Sequence, residues 1–334
     1  MNADEPTTER GGRLACVRVR LDLSYDGAAF AGWALQPGQR TVLGVVADAL
    51  AVLLPSCGPV TVAGRTDAGV HATGQVAHVD VSAQEWAGIG DLRARLAGVL
   101  AHDVRVREVR EVPLTFDARF AALWRRYVYR ISDAPWGVEP LRRTDTLHWR
   151  RSLDDVAMQR AGTALLGTHD FAAYCRRRDN ATTIRDLQHL TIERTGPVLQ
   201  VRVQADAFCY SMVRSLMGAL LSVGDGRRSP HWPASLLDLQ SRAGDVQVAP
   251  AHGLTLVAVG YPPDDELASR TVITRTARTL PAVGTGALET AAAMNTRLWD
   301  GGVRAPGGPR GLQNRRGPVS GSGGFDSRPP PPAT

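Results

Sequence analysis

Val60-Thr61-Val62-Ala63-Gly64-Arg65-Thr66-Asp67-Ala68-Gly69-Val70-His71-Ala72-Thr73-Gly74-Gln75-Val76-Ala77-His78-Val79-Asp80-Val81 is the stretch on which the reading of this chain turns. It opens as a short apolar strand, Val60 to Ala63, and strand character stops at Gly64. The loop that follows holds Gly64, Gly69 and Gly74 around a single acidic residue. From Val76 to Val81 apolar residues return at alternate positions, the period of a half-buried strand. Glycine serves where a backbone takes positive φ or comes close to another group. Asp67 stands at the centre of the loop, with Arg65 just before it and His71 one turn after. A carboxylate in a Gly-rich loop between strands, beside a cation, is a candidate nucleophile or base. The same residues more often serve only to cap a turn.

The 334 residues suffice for one large or two ordinary domains, and the 43% hydrophobic content is that of an ordinary globular protein. No apolar run approaches the ~20 residues of a membrane span. The polar start, Met1 to Gly12 with Asp4, Glu5 and Glu9, reads as a disordered tail rather than a signal peptide. Cys16, Cys57, Cys175 and Cys209 lie far apart without CxxC spacing. They read as isolated thiols, not a zinc site or a disulfide framework, in a reducing, cytoplasmic setting. The net charge of +6 is carried by the C-terminal segment, where from residue 268 nine Arg face three acidic residues. Residues 1–267 are therefore balanced, and any affinity for nucleic acid has to come from clustering. All 39 basic residues are Arg.

Outward from the Asp67 loop, Cys16 to Leu23 alternates as a strand, and Thr41 caps a helix from Val42 to about Leu54. A helix over Asp91–Leu100 and a strand over Val104–Val109 complete a strand-helix-strand-strand-helix-strand order across residues 13–112, a split βαβ, ferredoxin-like unit. A second unit spans 113–262. It opens with Trp124-Arg125-Arg126-Tyr127-Val128-Tyr129-Arg130, the densest mixture of arginine and aromatics in the chain. Either Arg stems cover the rings of an exposed strand, or guanidiniums grip phosphates while rings meet bases. Leu153–Leu166 reads as an amphipathic helix, followed by strands at Thr183–Arg194 and Val198–Ala205. A helix from Phe208 then places Phe208, Met212, Ser215, Leu216, Ala219 and Val223 on a core stripe, with Arg214 off it. Gly253–Tyr261 is a closing strand. From Pro262 onward Pro, Gly and Arg dominate, so residues 263–334 read as a disordered tail. The fold class expected is α+β: two ferredoxin-like units with mainly antiparallel sheets and a catalytic cleft between them.

The run Gly64 to Ala72, with Gly74-Gln75-Val76 behind it, closely resembles the catalytic loop of the tRNA pseudouridine synthase A family, and its length and fixed spacing make a chance match remote. Further elements resemble the same family in the same order: Tyr25-Asp26-Gly27 with Gly32-Trp33, Phe116-Asp117-Ala118-Arg119-Phe120, Arg125-Arg126-Tyr127-Val128-Tyr129, Gly167-Thr168-His169-Asp170-Phe171, Met212-Val213-Arg214 and Gly253 to Tyr261. Ala34 and Leu43 stand where the family usually has Gln, and Ser211 where it usually has His. His169 beside Asp170 has no further ligand at metal spacing, so it reads as a hydrogen-bonded loop.

The resemblance covers about residues 14–261. It implies isomerisation of uridine to pseudouridine in the tRNA anticodon stem-loop, at positions 38–40, by breaking the C1′–N1 bond, turning the uracil and rejoining it through C5. Such a reaction needs no cofactor and no metal. The resemblance assigns the reacting carboxylate to Asp67, its cationic partner to Arg214 and the residue facing the base to Tyr127. Arg65 would fill the gap left by a flipped base and Leu254 would wall the pocket, with Arg125, Arg126, Arg176, Arg177 and Arg178 as RNA contacts. It further implies a homodimer acting on tRNA in the cytoplasm, away from membranes. A noncatalytic RNA-binding protein of the same units is the alternative. A carboxylate glycosidase would need a second acid in similar surroundings, which the sequence does not offer.

Overall fold

The computed structural model describes residues 15–176 and 182–275. The expected tail at 1–12, together with Arg177, Arg178 and everything after residue 275, lies outside the described residues.

Alternating apolar positions make β1 (Cys16–Tyr25), whose Val19, Leu21, Leu23 and Tyr25 are buried. Thr41 caps α1 (Val42–Leu53) by accepting from the Gly44 amide. β2 (Thr61–Val62) leads through the Asp67 loop into β3 (His71–Ser82). Ser82 then starts α2 (Ala83–Ile89), an element the sequence reading passed over. Its signal was a capping box, in which the Ser82 hydroxyl accepts from the Glu85 amide and meets the Glu85 carboxylate. α3 (Leu92–Val99) and β4 (Val104–Val112) close the first half.

The second half runs through β5 (Trp124–Ser132), β6 (Leu147–His148), α4 (Asp155–Thr163), β7 (Gly167–Asp170), β8 (Ile184–Thr195) and β9 (Val198–Ala205). It continues with α5 (Met212–Gly224), α6 (Trp232–Ser235) and β10 (Leu254–Gly260), and α7 (Leu267–Arg275) follows it.

The ten strands form one mixed, mostly antiparallel sheet in the order β4-β1-β3-β10-β5-β9-β8-β7, with β2 on β3 and β6 on β5. Taken by halves, the first contributes β4-β1-β3-β2 and the second β10-β5-β9-β8-β7. The boundary expected at residue 112 is therefore no break: β10 pairs parallel to the start of β3, Thr255 opposite His71 and Leu256 opposite Ala72. Farther along the same strand β2 pairs with Ala77 and His78. Two strands share one edge of β3, and the chain between β2 and β3 has to leave the sheet where they meet.

That seam is tight. A Cβ on Gly74 would lie 2.0 Å from the Val257 carbonyl oxygen of β10, so only glycine lets the backbones approach.

Two expectations are corrected. The helix expected from Phe208 begins at Met212, because Ser211 takes a left-handed conformation (φ 63°) and ends the preceding turn. From Ser215 to Gly224 it is buried on all sides rather than along one stripe, so Arg214 is its one polar opening. The tail expected from residue 263 starts too early: α7 seats Leu267, 1% exposed, in a small cluster with Ala63, Val76, Val112, Phe116, Ala118 and Ala121. Pro262 and Pro263 break β10 without ending the fold, because Leu267 still has an apolar surface to cover.

Gly74→Ala is expected to lower stability by about 2 kcal/mol or more, since a backbone clash cannot relax cheaply. Gly98→Ala, exposed in α3 with open space around it, should raise it by roughly 0.5–1 kcal/mol. Urea unfolding of the two variants checks both signs.

Candidate active site

The Asp67 loop is held by its own backbone oxygens. The Ala63 carbonyl accepts from Arg125 Nη2 (2.8 Å) and the Gly64 carbonyl from Gln75 Nε2 (2.8 Å). The Thr66 carbonyl accepts from the Trp33 amide (3.0 Å), and the Asp67 carbonyl closes a turn with the Val70 amide (3.1 Å). Trp33 can reach the loop because Gly32, at φ +101°, has no Cβ to strike the Thr66 oxygen 2.9 Å away. The Tyr25-Asp26-Gly27…Gly32-Trp33 motif thus supports the loop from beneath.

Behind the loop lies a buried polar cluster. Gln75 Nε2 also donates to the Tyr25 hydroxyl (3.2 Å), which sits 2.9 Å from the Thr66 hydroxyl. Burial pushes the Tyr25 phenol up to about 12, against the pull of those two hydrogen bonds, so it stays un-ionised at any working pH. His71 ends the loop: the Gly27 N–H points at its Nδ1 (3.1 Å), and its Nε2 donates to the Thr144 carbonyl (2.8 Å). Sequence reading quoted Tyr25 and Gln75 inside motifs without giving them a task. Their signal was a polar group at a core position, which demands a partner.

With its backbone fixed, the Asp67 carboxylate is left free to point outward. Its Oδ2 accepts from Arg214 Nη1 at 3.2 Å. Arg214 is in the first turn of α5, and its Nε donates to the Ala249 carbonyl (2.8 Å), which orients the guanidinium plane. The two side chains are 19% and 21% exposed, so the pair is half-desolvated yet open to a ligand. A cation in a helix's first turn opposes the macrodipole, and the carboxylate offsets that.

Tyr127 stands on β5 between Val203 of β9 and Leu256 of β10. It is 8% exposed, and the Phe208 ring meets it edge-on at 5.3 Å. Burial raises its phenol pKa, with Tyr25 and the Asp67 charge raising it further and Arg125 opposing. Tyr127 is therefore a neutral phenol, fit to stack, donate or relay a proton but not to start as a base. Among the described residues its hydroxyl has no hydrogen-bond partner. Phe208, expected in a helical core stripe, instead covers this ring from the turn before α5.

The remaining expected residues divide. Arg65 is exposed at the loop's tip and makes no hydrogen bond or ion pair among the described residues. Leu254 is buried opposite Tyr129, on the Tyr127 face. Arg176 is exposed, its amide bound to the Tyr210 carbonyl (3.1 Å). Arg126 lies on the opposite face of β5 from Tyr127, stacked 4.8 Å from the Trp124 ring and bound to Gln204 (2.9 Å). Arg125 is corrected outright. It is 8% exposed and turned inward onto backbone carbonyls, since strand alternation puts it on the buried Tyr127 face. A second correction concerns the thiols: Cys175 and Cys209, 34 residues apart in sequence, form a disulfide with Cα atoms 5.8 Å apart, joining the turn before Arg176 to the segment carrying Phe208. Spacing along the chain gave no sign of that proximity. His169 donates to the Leu166 carbonyl and Asp170 accepts from the Ala172 amide, but both residues lie in β7, paired with Arg185 and Ile184 of β8, so the loop expected there is a short strand. Among the described residues no three His, Cys, Asp or Glu side chains gather to hold a metal.

A conserved-family model described as tRNA pseudouridine synthase matches residues 161–262. Curated relatives match far more of the chain. A tRNA pseudouridine synthase A of Frankia casuarinae is 59% identical over 268 residues, covering 79% of this chain and 97% of its own. Its namesake of Streptomyces avermitilis is 54% identical, covering 80% of this chain and 96% of its own, and that of Mycobacterium leprae 51%, covering 78% and 96%. The class these matches define is that of the pseudouridine synthases, which are isomerases. Within it, the chain belongs to the tRNA pseudouridine synthase A family.

Tyr25→Phe removes one hydroxyl and strands Gln75 and Thr66 without changing shape. It is expected to cost about 1–2 kcal/mol in urea unfolding, with substrate turnover falling more than substrate affinity because the Asp67 loop loosens.

Proposed function

We propose that this protein isomerises uridine to pseudouridine in the anticodon stem-loop of tRNA, at positions 38–40. The observation that carries the reading is the 3.2 Å contact between Arg214 and Asp67, which unites two segments 147 residues apart beside Tyr127. A turn-capping Asp would bond its own loop; the Asp67 side chain leaves the loop and meets a cation from α5, in the other half of the chain.

In the reaction, the target uridine leaves the stack and its base lies against Tyr127, with Leu254 as apolar wall and Arg65 in the vacated place. The Asp67 carboxylate, aimed by Arg214, attacks or deprotonates the nucleotide at C1′, C6 or C2′. The C1′–N1 bond breaks, the uracil turns, C5 bonds to C1′ while Asp67 gives up its bond to the nucleotide or returns the C2′ proton, and the C5 proton leaves for N1 through solvent or Tyr127. Substrate and product are isomers, so nothing is oxidised or hydrolysed and no cofactor or metal is called for. Arg176 with Arg177 and Arg178 would form an RNA-facing rim, and Arg126 a contact on the far sheet face. We further propose that the two halves are ferredoxin-like units with the cleft at their seam, supported by their strand orders. The protein would act as a homodimer in the cytoplasm, where tRNA resides. Among the described residues, no helix is long and apolar enough to cross a membrane.

The test uses unmodified tRNAs bearing a single uridine at position 38, 39 or 40. Wild type is expected to form pseudouridine, and Asp67→Asn to bind the same tRNA within about 3-fold while losing turnover by roughly 10³-fold or more. Full activity of Asp67→Asn would overturn the mechanism. Wild-type binding without conversion would instead leave an RNA-binding protein.

A further inference from the structure

Arg125 is a full charge inside the protein, and its hydrogen bonds reach three separate segments. Nη1 donates to the Asp206 carbonyl (2.9 Å), and Nη2 to the carbonyls of Ala63 (2.8 Å) and Arg119 (2.6 Å). Each segment carries part of the site or borders it. Ala63 is the last residue before Gly64 and the Asp67 loop. Asp206 opens the segment that places Phe208 on Tyr127 and leads into α5 and Arg214. Arg125 itself lies two residues before Tyr127 on the same strand face.

We infer that Arg125 is a positioning residue for the reaction: its guanidinium fixes the Asp67 loop and the Phe208 segment against the strand that carries Tyr127. This rests on the reading of Asp67 as the reacting carboxylate. A planar fork with donors on both terminal nitrogens can span three carbonyls in fixed directions, and a lysine ammonium on a flexible stem cannot. The consequence is geometric. The loop enters at Ala63, four residues before Asp67, and a displacement there of about 1 Å moves the carboxylate out of a near-attack position, at a cost of order 10²-fold in rate. The charge also acts at close range: it is the group that pulls the Tyr127 phenol down against burial.

The role differs from the phosphate contact that its place in an arginine-aromatic strand suggests. A phosphate contact contributes to affinity and to its salt dependence; a positioning contact contributes to turnover on bound substrate.

The experiment compares wild type, Arg125→Lys and Asp67→Asn of the full chain on unmodified tRNA, measuring Kd at several salt concentrations, single-turnover rate on the prebound complex, and thermal unfolding. For Arg125→Lys we expect the rate on bound tRNA to fall about 10- to 100-fold, with Kd within about 2-fold and an unchanged salt slope. Arg125→Ala should regain part of that rate with added ethylguanidinium, which refills the vacated space. An unchanged rate overturns the inference. So does a Kd that weakens with the salt slope reduced by about one while the bound rate holds, the mark of a phosphate contact. If Arg125→Lys does not fold, Arg125→Gln, which keeps two N–H donors, is measured in its place. Loss of cooperative unfolding in both overturns the inference in favour of a purely structural arginine. Failure of wild type to convert uridine would remove the reaction itself, and is told apart from these outcomes by the wild-type arm alone.

Discussion

The edge of β3 can be paired only once along its length, and two strands claim it. β10 takes the start, at His71 and Ala72, and β2 the later stretch, at Ala77 and His78. Unpaired strand edges in a protein interior are costly, so both pairings are kept and the chain joining β2 to β3 is forced out of the sheet between them. The Asp67 loop is that chain. Its location at the seam of the two halves follows from backbone hydrogen bonding before any side chain is considered. Gly74, pressed against the Val257 carbonyl, marks how close the strands come there.

A loop expelled from a sheet has carbonyls to satisfy, and those of this loop are met by Arg125 and Trp33 from other motifs and by Gln75 of β3, just after it. The backbone is thereby over-determined while the Asp67 side chain remains unclaimed by its own turn. The division suits catalysis, since a reacting group gains from a fixed origin and a free face. Arg214 completes the arrangement from α5, where a helix buried on nearly every side has one polar outlet, next to the carboxylate. The same buried helix explains why the outlet does not wander: Met212, Val213 and Ser215 on either side of it are packed into the core.

Much of this was legible in the sequence. Alternating apolar residues gave the long strands, Thr41 gave the start of α1, the Gly64–Gly74 run set Asp67 apart, and the family resemblance added Tyr127 and Arg214 to it. What was not legible was direction. Arg125 and Arg126 are adjacent and identical, yet strand alternation sends one inward to three carbonyls and the other to the opposite face. Composition reads both as RNA contacts; only register separates them. Phe208 looked helical because its neighbours are apolar, but the left-handed Ser211 ends that turn and makes the ring a cover for Tyr127. Cys175 and Cys209 carry no spacing signal, since their meeting depends on how the turn before Arg176 folds against the start of α5. Leu267 was hidden by the prolines ahead of it.

The central claim is that Asp67 and Arg214 act as one unit across the seam, and a double-mutant cycle on pseudouridine formation tests it most directly. Single-turnover rates would be measured for wild type, Asp67→Asn, Arg214→Gln and the double variant on one unmodified tRNA. A unit predicts strong non-additivity, with the double variant no slower than Asp67→Asn alone within about 3-fold. Rates in the double variant that equal the product of the two single losses would mean that Arg214 contributes independently of Asp67, and would contradict the account.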